Sequence, residues 1–343
     1  MKALFIGLGS IGQRHLQNLL KISDSDIDII AYRTTNINKI IINGEMSECD
    51  SISNHYGFSE YNNFDDIIEQ KPSMSFICNP SNLHLEYSQK LASIKSNLFI
   101  EKPVATSLKK FSKLEKTVEK NNLITLVAYQ SRFHPILQEI KNLIECKTYG
   151  NIISADFKWH NFLPHFHRYE DYSLSYAARK ELGGGVIFGL SHEIDLIQWF
   201  FGMPLNVYAI KGAKTKLNVN VEDTVSIMFK CSDKQRIFPV SLSLSYAQRY
   251  ETRNFSILME DALITVDLEQ KNMLISDHKK KNVIKNDFRN VKRNDLFLKE
   301  IKHFFSSCIN GQRSEIPLSE GKKSLIISLA IKESLSNNKI VEI

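Results

Sequence analysis

Short apolar runs separated by helical patterns organise the first third of the chain. Ala3–Ile6, Ile27–Tyr32, Met74–Cys78, Leu98–Glu101 and Leu123–Ala128 read as strands. Between them, segments such as Leu83–Ala92 and Leu108–Lys120 carry apolar residues at three- and four-residue steps and read as helices. This alternation predicts a doubly wound parallel sheet with right-handed crossovers. From about Asn151 the rhythm changes. One long helix is predicted over Val186–Phe201, then closely spaced strands at Val207–Gly212, Val221–Lys230, Arg236–Tyr246, Phe255–Met259 and Leu263–Leu268. Successive strands with short turns predict a largely antiparallel open sheet, so the second part is expected to be α+β. Two helices, near Leu296–Cys308 and Leu318–Leu335, are expected to pack back on the body. The expected division is an α/β domain over 1–125 and an α+β domain over 126–343.

Length and composition agree with two domains, because single cores stop growing at roughly 250–300 residues and this chain has 343. The net charge of +6 is modest. A basic stretch from Lys279 to Arg293, interrupted by Asp287, reads as a solvated loop; it lacks interleaved aromatics, so no nucleic-acid partner is expected. The five cysteines are scattered without CxxC spacing, which points to a reducing compartment rather than a disulfide framework or thiolate metal site. The apolar start Met1–Ile6 breaks at Gly7, short of a signal peptide, and no segment approaches the ~20 apolar residues of a membrane span. A cytoplasmic protein without a membrane partner is the expectation.

Chemistry enters with Gly7-Leu8-Gly9-Ser10-Ile11-Gly12, a GxGxxG directly after the first strand and before an amphipathic helix. Such glycines allow a tight turn and close approach of a pyrophosphate, which the helix amino end then binds. Some twenty residues on, where an acid would favour NAD, the chain has Arg33-Thr34-Thr35. An arginine there can pair with a 2′-phosphate, aided by the hydroxyls, which favours NADP with NAD still open; the loop after Thr35 could yet bring in an acid. Asn79-Pro80-Ser81-Asn82-Leu83-His84 ends another strand, leaving Asn79 at the ligand edge of the sheet, with His84 read either as facing the cofactor or as a capping residue. Glu101-Lys102-Pro103 ends the next strand in the same position, and its X-Pro bond can take the cis form. The expected cofactor set is Gly7, Gly9, Ser10, Ile11, Gly12, Arg33, Thr34, Asn79, Pro80, Asn82, His84, Glu101, Lys102 and Gln130.

These motifs, with Arg132-Phe133-His134-Pro135 and the Gly183-Gly184-Gly185 segment leading to His192 and Asp195, resemble the Gfo/Idh/MocA oxidoreductases. The resemblance runs over nearly the whole chain. It implies a Rossmann domain, a second domain whose open sheet often mediates oligomerisation (here a homodimer or homotetramer), a nicotinamide cofactor and a sugar or cyclitol substrate. Tyr172–Arg179 also looks like members linked to bacterial surface-sugar biosynthesis, which would make a nucleotide-linked sugar the substrate.

Oxidising an alcohol needs a base for the hydroxyl proton while hydride leaves carbon, and histidine suits that role near neutral pH. His192 is the candidate, with Asp195 one turn on to orient or charge it. Lys102, on the other domain, would stabilise developing oxyanion charge or share the proton, with Glu101 holding it. The resemblance assigns catalysis to the same two residues. Arg132, Trp159, Arg168, Tyr172, Tyr176, Arg179 and Asp195 are candidates to shape the substrate pocket. His160, His165 and His167 lack a supporting carboxylate or thiolate spacing, and no metal is expected. One position departs from the pattern of the resemblance: Gly189 stands three before the histidine, where the family commonly carries an aspartate. Adding a carboxylate there should raise activity if its loss is a defect and lower it if the space is used. The expected activity is hydride transfer between NAD(P) and a sugar or cyclitol hydroxyl or ketone. The rival is a nucleotide-binding sensor that retains the fold without catalysis.

Overall fold

Six parallel strands form the first sheet of the computed structural model, which describes residues 1–23, 27–34, 38–42, 45–233 and 236–343. Their spatial order is Ser59–Tyr61, Asp28–Tyr32, Lys2–Ile6, Met74–Ile77, Asn97–Ile100, Thr125–Val127. The central strands are buried on both faces, which is why they are continuous apolar runs rather than alternating ones. Phe5 and Phe76 stack with ring centroids 4.5 Å apart. Chain order reverses direction at Lys2–Ile6: the next two strands lie on one side, the later three on the other. A crevice at such a switch point, beyond the carboxyl ends of the strands, is where open α/β sheets take ligands.

The chain divides into two compact units, residues 1–129 with 297–322, and residues 130–296 with 323–343. In the first unit the late segment is bonded to the edge strand. Val127 N donates to Ile316 O at 2.8 Å, and Leu318 N to Thr125 Oγ1 at 2.9 Å. Phe304, from the helix Arg293–Asn310, packs edge-on against Phe76 and Phe99.

The second unit is built on a nine-stranded sheet in the order Asn282–Asp287, Asn272–Asp277, Ala262–Asp267, Ala247–Met259, Ile152–Phe162, Arg236–Ser245, Thr224–Asp233, Asn206–Lys211, Val341–Glu342. Every pairing is antiparallel except Ile152–Phe162 with Arg236–Ser245. Val225, Ile227, Phe229 and Val240, Leu242, Leu244 alternate inward and join Ile136, Ile140, Ile194 and Ile197 of the covering helices in one core. On the opposite face Ile153, Ile210, Met228 and Ile237 are exposed.

Several features differ from expectation, the unpredicted strands Ser59–Tyr61, Asn272–Asp277 and Val341–Glu342 among them. The helix predicted over Val186–Phe201 is two helices, Val186–Gly189 and His192–Phe201, because Leu190 (φ −102, ψ 27) leaves helical geometry before Ser191 (φ −64, ψ −6) opens the second helix. Ile152–Phe162, the central strand of the second sheet, was not among the predicted strands; its alternation spans only Ala155–Trp159, between the consecutive Ile152-Ile153 and the polar His160-Asn161. The basic stretch after Lys279 is not all loop: it contributes the edge strand Asn282–Asp287. Lys285 on this edge strand, with Lys279–Lys281 leading into it, discourages pairing with other chains, and the same charge hides the strand from apolar periodicity. A hairpin of Lys39–Ile42 with Glu45–Glu48 was also unforeseen.

Candidate active site

In the first unit the glycine turn is built for close approach. Gly7 has φ +86, and a Cβ on it would come within 2.6 Å of Asn79 N; a Cβ on Gly12 would strike the Gly7 carbonyl oxygen. Gly9 is the opposite case, since its missing Cβ would meet nothing within 4 Å. The turn is closed underneath and open above. The helix Ser10–Ile22 starts there with no side-chain cap and no acid in its first turn, so Ser10, Ile11 and Gly12 sit at an amino end with free capacity for anions. Asn79 adds a further group: both atoms of its side-chain amide are buried without a hydrogen-bond partner. Buried amides are normally satisfied, so this one fits a ligand's polar edge. These residues fit a dinucleotide.

His84 ties two loops together rather than standing open to a ligand. It is buried, with Nδ1 2.8 Å from Pro103 O and Nε2 2.8 Å from Asn79 O. Burial lowers its pKa, although both carbonyls favour the charged ring. The tether anchors the loop that carries Lys102, whose bond to Pro103 is cis. Pro80 precedes the short turn Ser81–Leu83, in which Asn82 is exposed.

Glu101 is fixed from behind. Its Oε1 lies 2.7 Å from His15 Nε2 and its Oε2 accepts from Lys102 N at 3.0 Å. Burial pushes its carboxyl up, but His15 and Lys102 outweigh that and hold it below the usual range. Glu300 is the reverse: fully buried, with neither carboxylate oxygen bonded, it is pushed well above the usual range by burial and then by the charge of Glu101. Two buried carboxyl groups, Glu101 and Glu300, are thus shifted in opposite directions. Neither His15 nor Glu300 carried a sequence signal, since both are single residues inside helices.

At the end of Asp28–Tyr32, Arg33 is engaged: Nη1 lies 2.7 Å from Glu60 Oε2. Thr34 is exposed, and Thr35 lies outside the described residues.

In the second unit His192 is almost completely buried and has Gln130 Nε2 3.2 Å from its Nε2. The Trp159 ring lies 6.1 Å from it, centroid to centroid. Trp159 is in turn covered by Arg253 at 4.1 Å, and Arg253 donates to Glu193 at 2.6 Å and to Ser131 at 3.2 Å. Two residues on from Trp159, and so on the same strand face, the buried amide of Asn161 has no partner for either atom. An imidazole, an indole and an unpaired amide are groups able to hydrogen-bond or stack against a polyol. Arg253 and Asn161 were missed in sequence because nothing local distinguishes them from other strand residues.

Asp195 does not orient His192. Its carboxylate receives Arg132 Nε and Nη2, each at 2.8 Å, and Ser324 Oγ at 2.9 Å. Arg132 also reaches Gln198 at 2.9 Å. This bidentate pair is buried and locks the segment before residue 135 to the His192 helix. Asp195→Ala should therefore destabilise the protein by about 3–5 kcal/mol, because the buried guanidinium loses its counter-charge; urea unfolding monitored by circular dichroism checks this.

Gly189 faces Tyr246. A Cβ there would run into the Tyr246 hydroxyl, which donates to Gly185 O at 3.2 Å, and Tyr246 is fully buried. Of the remaining candidates, Tyr172 Oη accepts from Asn218 N at 3.1 Å. Tyr176 lies in a short 3-10 turn, Arg179 O accepts from Gly184 N at 2.9 Å, and Arg168 is exposed. Among the described residues no group of three or more His, Cys, Asp or Glu side chains is arranged to hold a metal.

Two family models match the chain in succession. Residues 1–129 match the model of the oxidoreductase family with an NAD-binding Rossmann fold, and residues 137–265 match the GFO/IDH/MocA C-terminal domain. The uncharacterized oxidoreductase YrbE of Bacillus subtilis (strain 168) is 27% identical over 214 residues, covering 61% of this chain and 56% of that protein. The chain thus spans about half the length of this and similar curated relatives. The myo-inositol 2-dehydrogenase of Thermotoga maritima is 21% identical over 357 residues, covering 100% of this chain and 98% of its own. Levoglucosan dehydrogenase, solved in complex with NADH, shares the fold with a TM-score of 0.85 at 17% identity, covering 100% of this chain and 98% of that one. With both family models matched in order over most of its length, the chain belongs to the Gfo/Idh/MocA oxidoreductase family.

Proposed function

We propose that this protein transfers hydride between a nicotinamide dinucleotide and a sugar or cyclitol hydroxyl or ketone, a nucleotide-linked sugar included. The observation that carries the reading is the set of groups at the carboxyl ends of the first sheet: an open glycine cradle, the unpartnered Asn79 amide, and Lys102 on a tethered loop. A bound nicotinamide supplies the hydride acceptor or donor. The chain's own task is the proton that leaves or enters the oxygen. In this reading His192 takes the hydroxyl proton, Gln130 keeps its ring oriented, and Lys102 stabilises the charge that grows on oxygen, while Glu101 keeps the lysine loop in place. Trp159 and Asn161 hold the polyol. NADP is the cofactor favoured by Arg33, with NAD accepted. The five free cysteines support a reducing, cytoplasmic setting, and the exposed Ile210, Met228 and Ile237 on the outer face of the second sheet support a homodimer or homotetramer.

The deciding experiment is a turnover screen of NAD and NADP against free sugars, cyclitols and nucleotide-linked sugars, read by nicotinamide absorbance. Substrate-dependent turnover is expected. Tyr246 filling the place beside Gly189 favours one rival, a sensor that kept the fold. Cofactor binding without hydride transfer to any of these substrates would establish that rival instead.

A further inference from the structure

Given a bound nicotinamide dinucleotide, the reading on which this inference rests, the ion pair at the end of Asp28–Tyr32 bears on which dinucleotide the chain takes. Arg33 Nη1 lies 2.7 Å from Glu60 Oε2, with the Arg33 side chain 8% exposed and that of Glu60 29%. Backbone register brings them together. Ala31 pairs with Glu60 in the parallel ladder, and Arg33 N donates to Tyr61 O at 2.9 Å. Side chains alternate along a strand, so Ala31, Arg33 and Glu60 share one face of the sheet.

The carboxyl end of the second strand is where the adenosine ribose of a dinucleotide is read. An acid there accepts from the ribose hydroxyls, and an arginine pairs with a 2′-phosphate. Here the second strand supplies the arginine and the neighbouring strand Ser59–Tyr61 supplies an acid to the same place. We propose that Glu60 is a cofactor-selecting residue: its carboxylate restrains Arg33 and offers the acceptor that ribose hydroxyls need, so the chain binds NAD(H) alongside NADP(H). A 2′-phosphate reaching Arg33 must share the guanidinium with Glu60 or displace it, and in either case two anions meet at short range in a partly screened setting. The hydroxyls of NAD(H) meet no such repulsion.

The test is direct binding, so it does not depend on substrate or turnover. Full-length protein is titrated with NADH and with NADPH, following nicotinamide fluorescence. The wild type should bind both. Glu60→Gln, which keeps shape and an acceptor oxygen while removing the charge, should raise the ratio of NADPH to NADH affinity on the order of tenfold. Adding Arg33→Ala to that variant should erase the gain, because the phosphate then has no guanidinium to pair with. Glu60 lies at the surface and the first change is isosteric, so folding is retained; thermal unfolding verifies it. An unchanged ratio in Glu60→Gln, with both cofactors still binding, overturns the role of Glu60 and leaves the oxidoreductase reading standing. Binding of neither cofactor to the wild type overturns both.

Discussion

Lys102→Ala is expected to slow hydride transfer by roughly 10³-fold while leaving cofactor dissociation constants within about threefold. The asymmetry follows from where the other groups are. The glycine turn, the Asn79 amide and the Arg33–Glu60 pair do not involve the lysine side chain, so binding should survive its loss. The loop itself should also survive, since it is held through His84 to the Pro103 carbonyl and through His15 to Glu101. What is removed is a cationic group that acts only when charge develops on the reacting oxygen, and such a group affects kcat far more than KM. Steady-state kinetics with a separate NADPH titration distinguishes the cases. Near-normal turnover in the variant would remove lysine from the mechanism, and loss of binding would make it a cofactor residue instead.

Gly189→Asp is expected to cost stability rather than restore function, by at least about 3 kcal/mol. Viewed in sequence, the glycine is an absent carboxylate, and adding one back could raise activity. In the folded chain the position is occupied: the Tyr246 hydroxyl stands where the first side-chain atom would go, and the ring is fully buried with Phe166 edge-on against it at 5.6 Å. Burial also holds the tyrosine well above its usual range, so it is a neutral hydroxyl at any physiological pH. An aspartate would have to push the ring aside and then lodge a carboxylate where little water reaches. Tyr246→Phe alone should cost only about 1 kcal/mol, the bond to Gly185. Combining Gly189→Asp with Tyr246→Ala should give less destabilisation than the two separate losses added together, a coupling that denaturant unfolding of the four proteins measures. Simple additivity would show that the two positions do not compete for one space.

Much of the fold was legible because its signals are local. Buried parallel strands are unbroken apolar runs, the closely spaced Gly7, Gly9 and Gly12 mark the cradle, and proline and charge end the strands that carry Asn79 and Lys102. What was missed has no local signature. Ile152–Phe162 is central to the second sheet yet half polar, because one of its faces is open. Asn282–Asp287 hides in a basic stretch because it is an edge. The break at Leu190–Ser191 interrupts a pattern that reads as one helix.

The same division holds for the site. The sequence by itself determined the family, through motifs spread from Gly7 to Asp195, and it marked the cradle at Gly7–Gly12 and Lys102 and His192 as candidates, each through residue type and spacing within its own segment. Only the tertiary structure decided how their neighbours are used. Asp195 was expected beside His192 and instead anchors Arg132, Arg33 pairs with Glu60 of a neighbouring strand, and the space at Gly189 belongs to a tyrosine far along the chain. The reason is physical: a buried charge or an empty volume must be satisfied by whatever the fold brings within a few ångströms, and that partner leaves no trace in the local sequence.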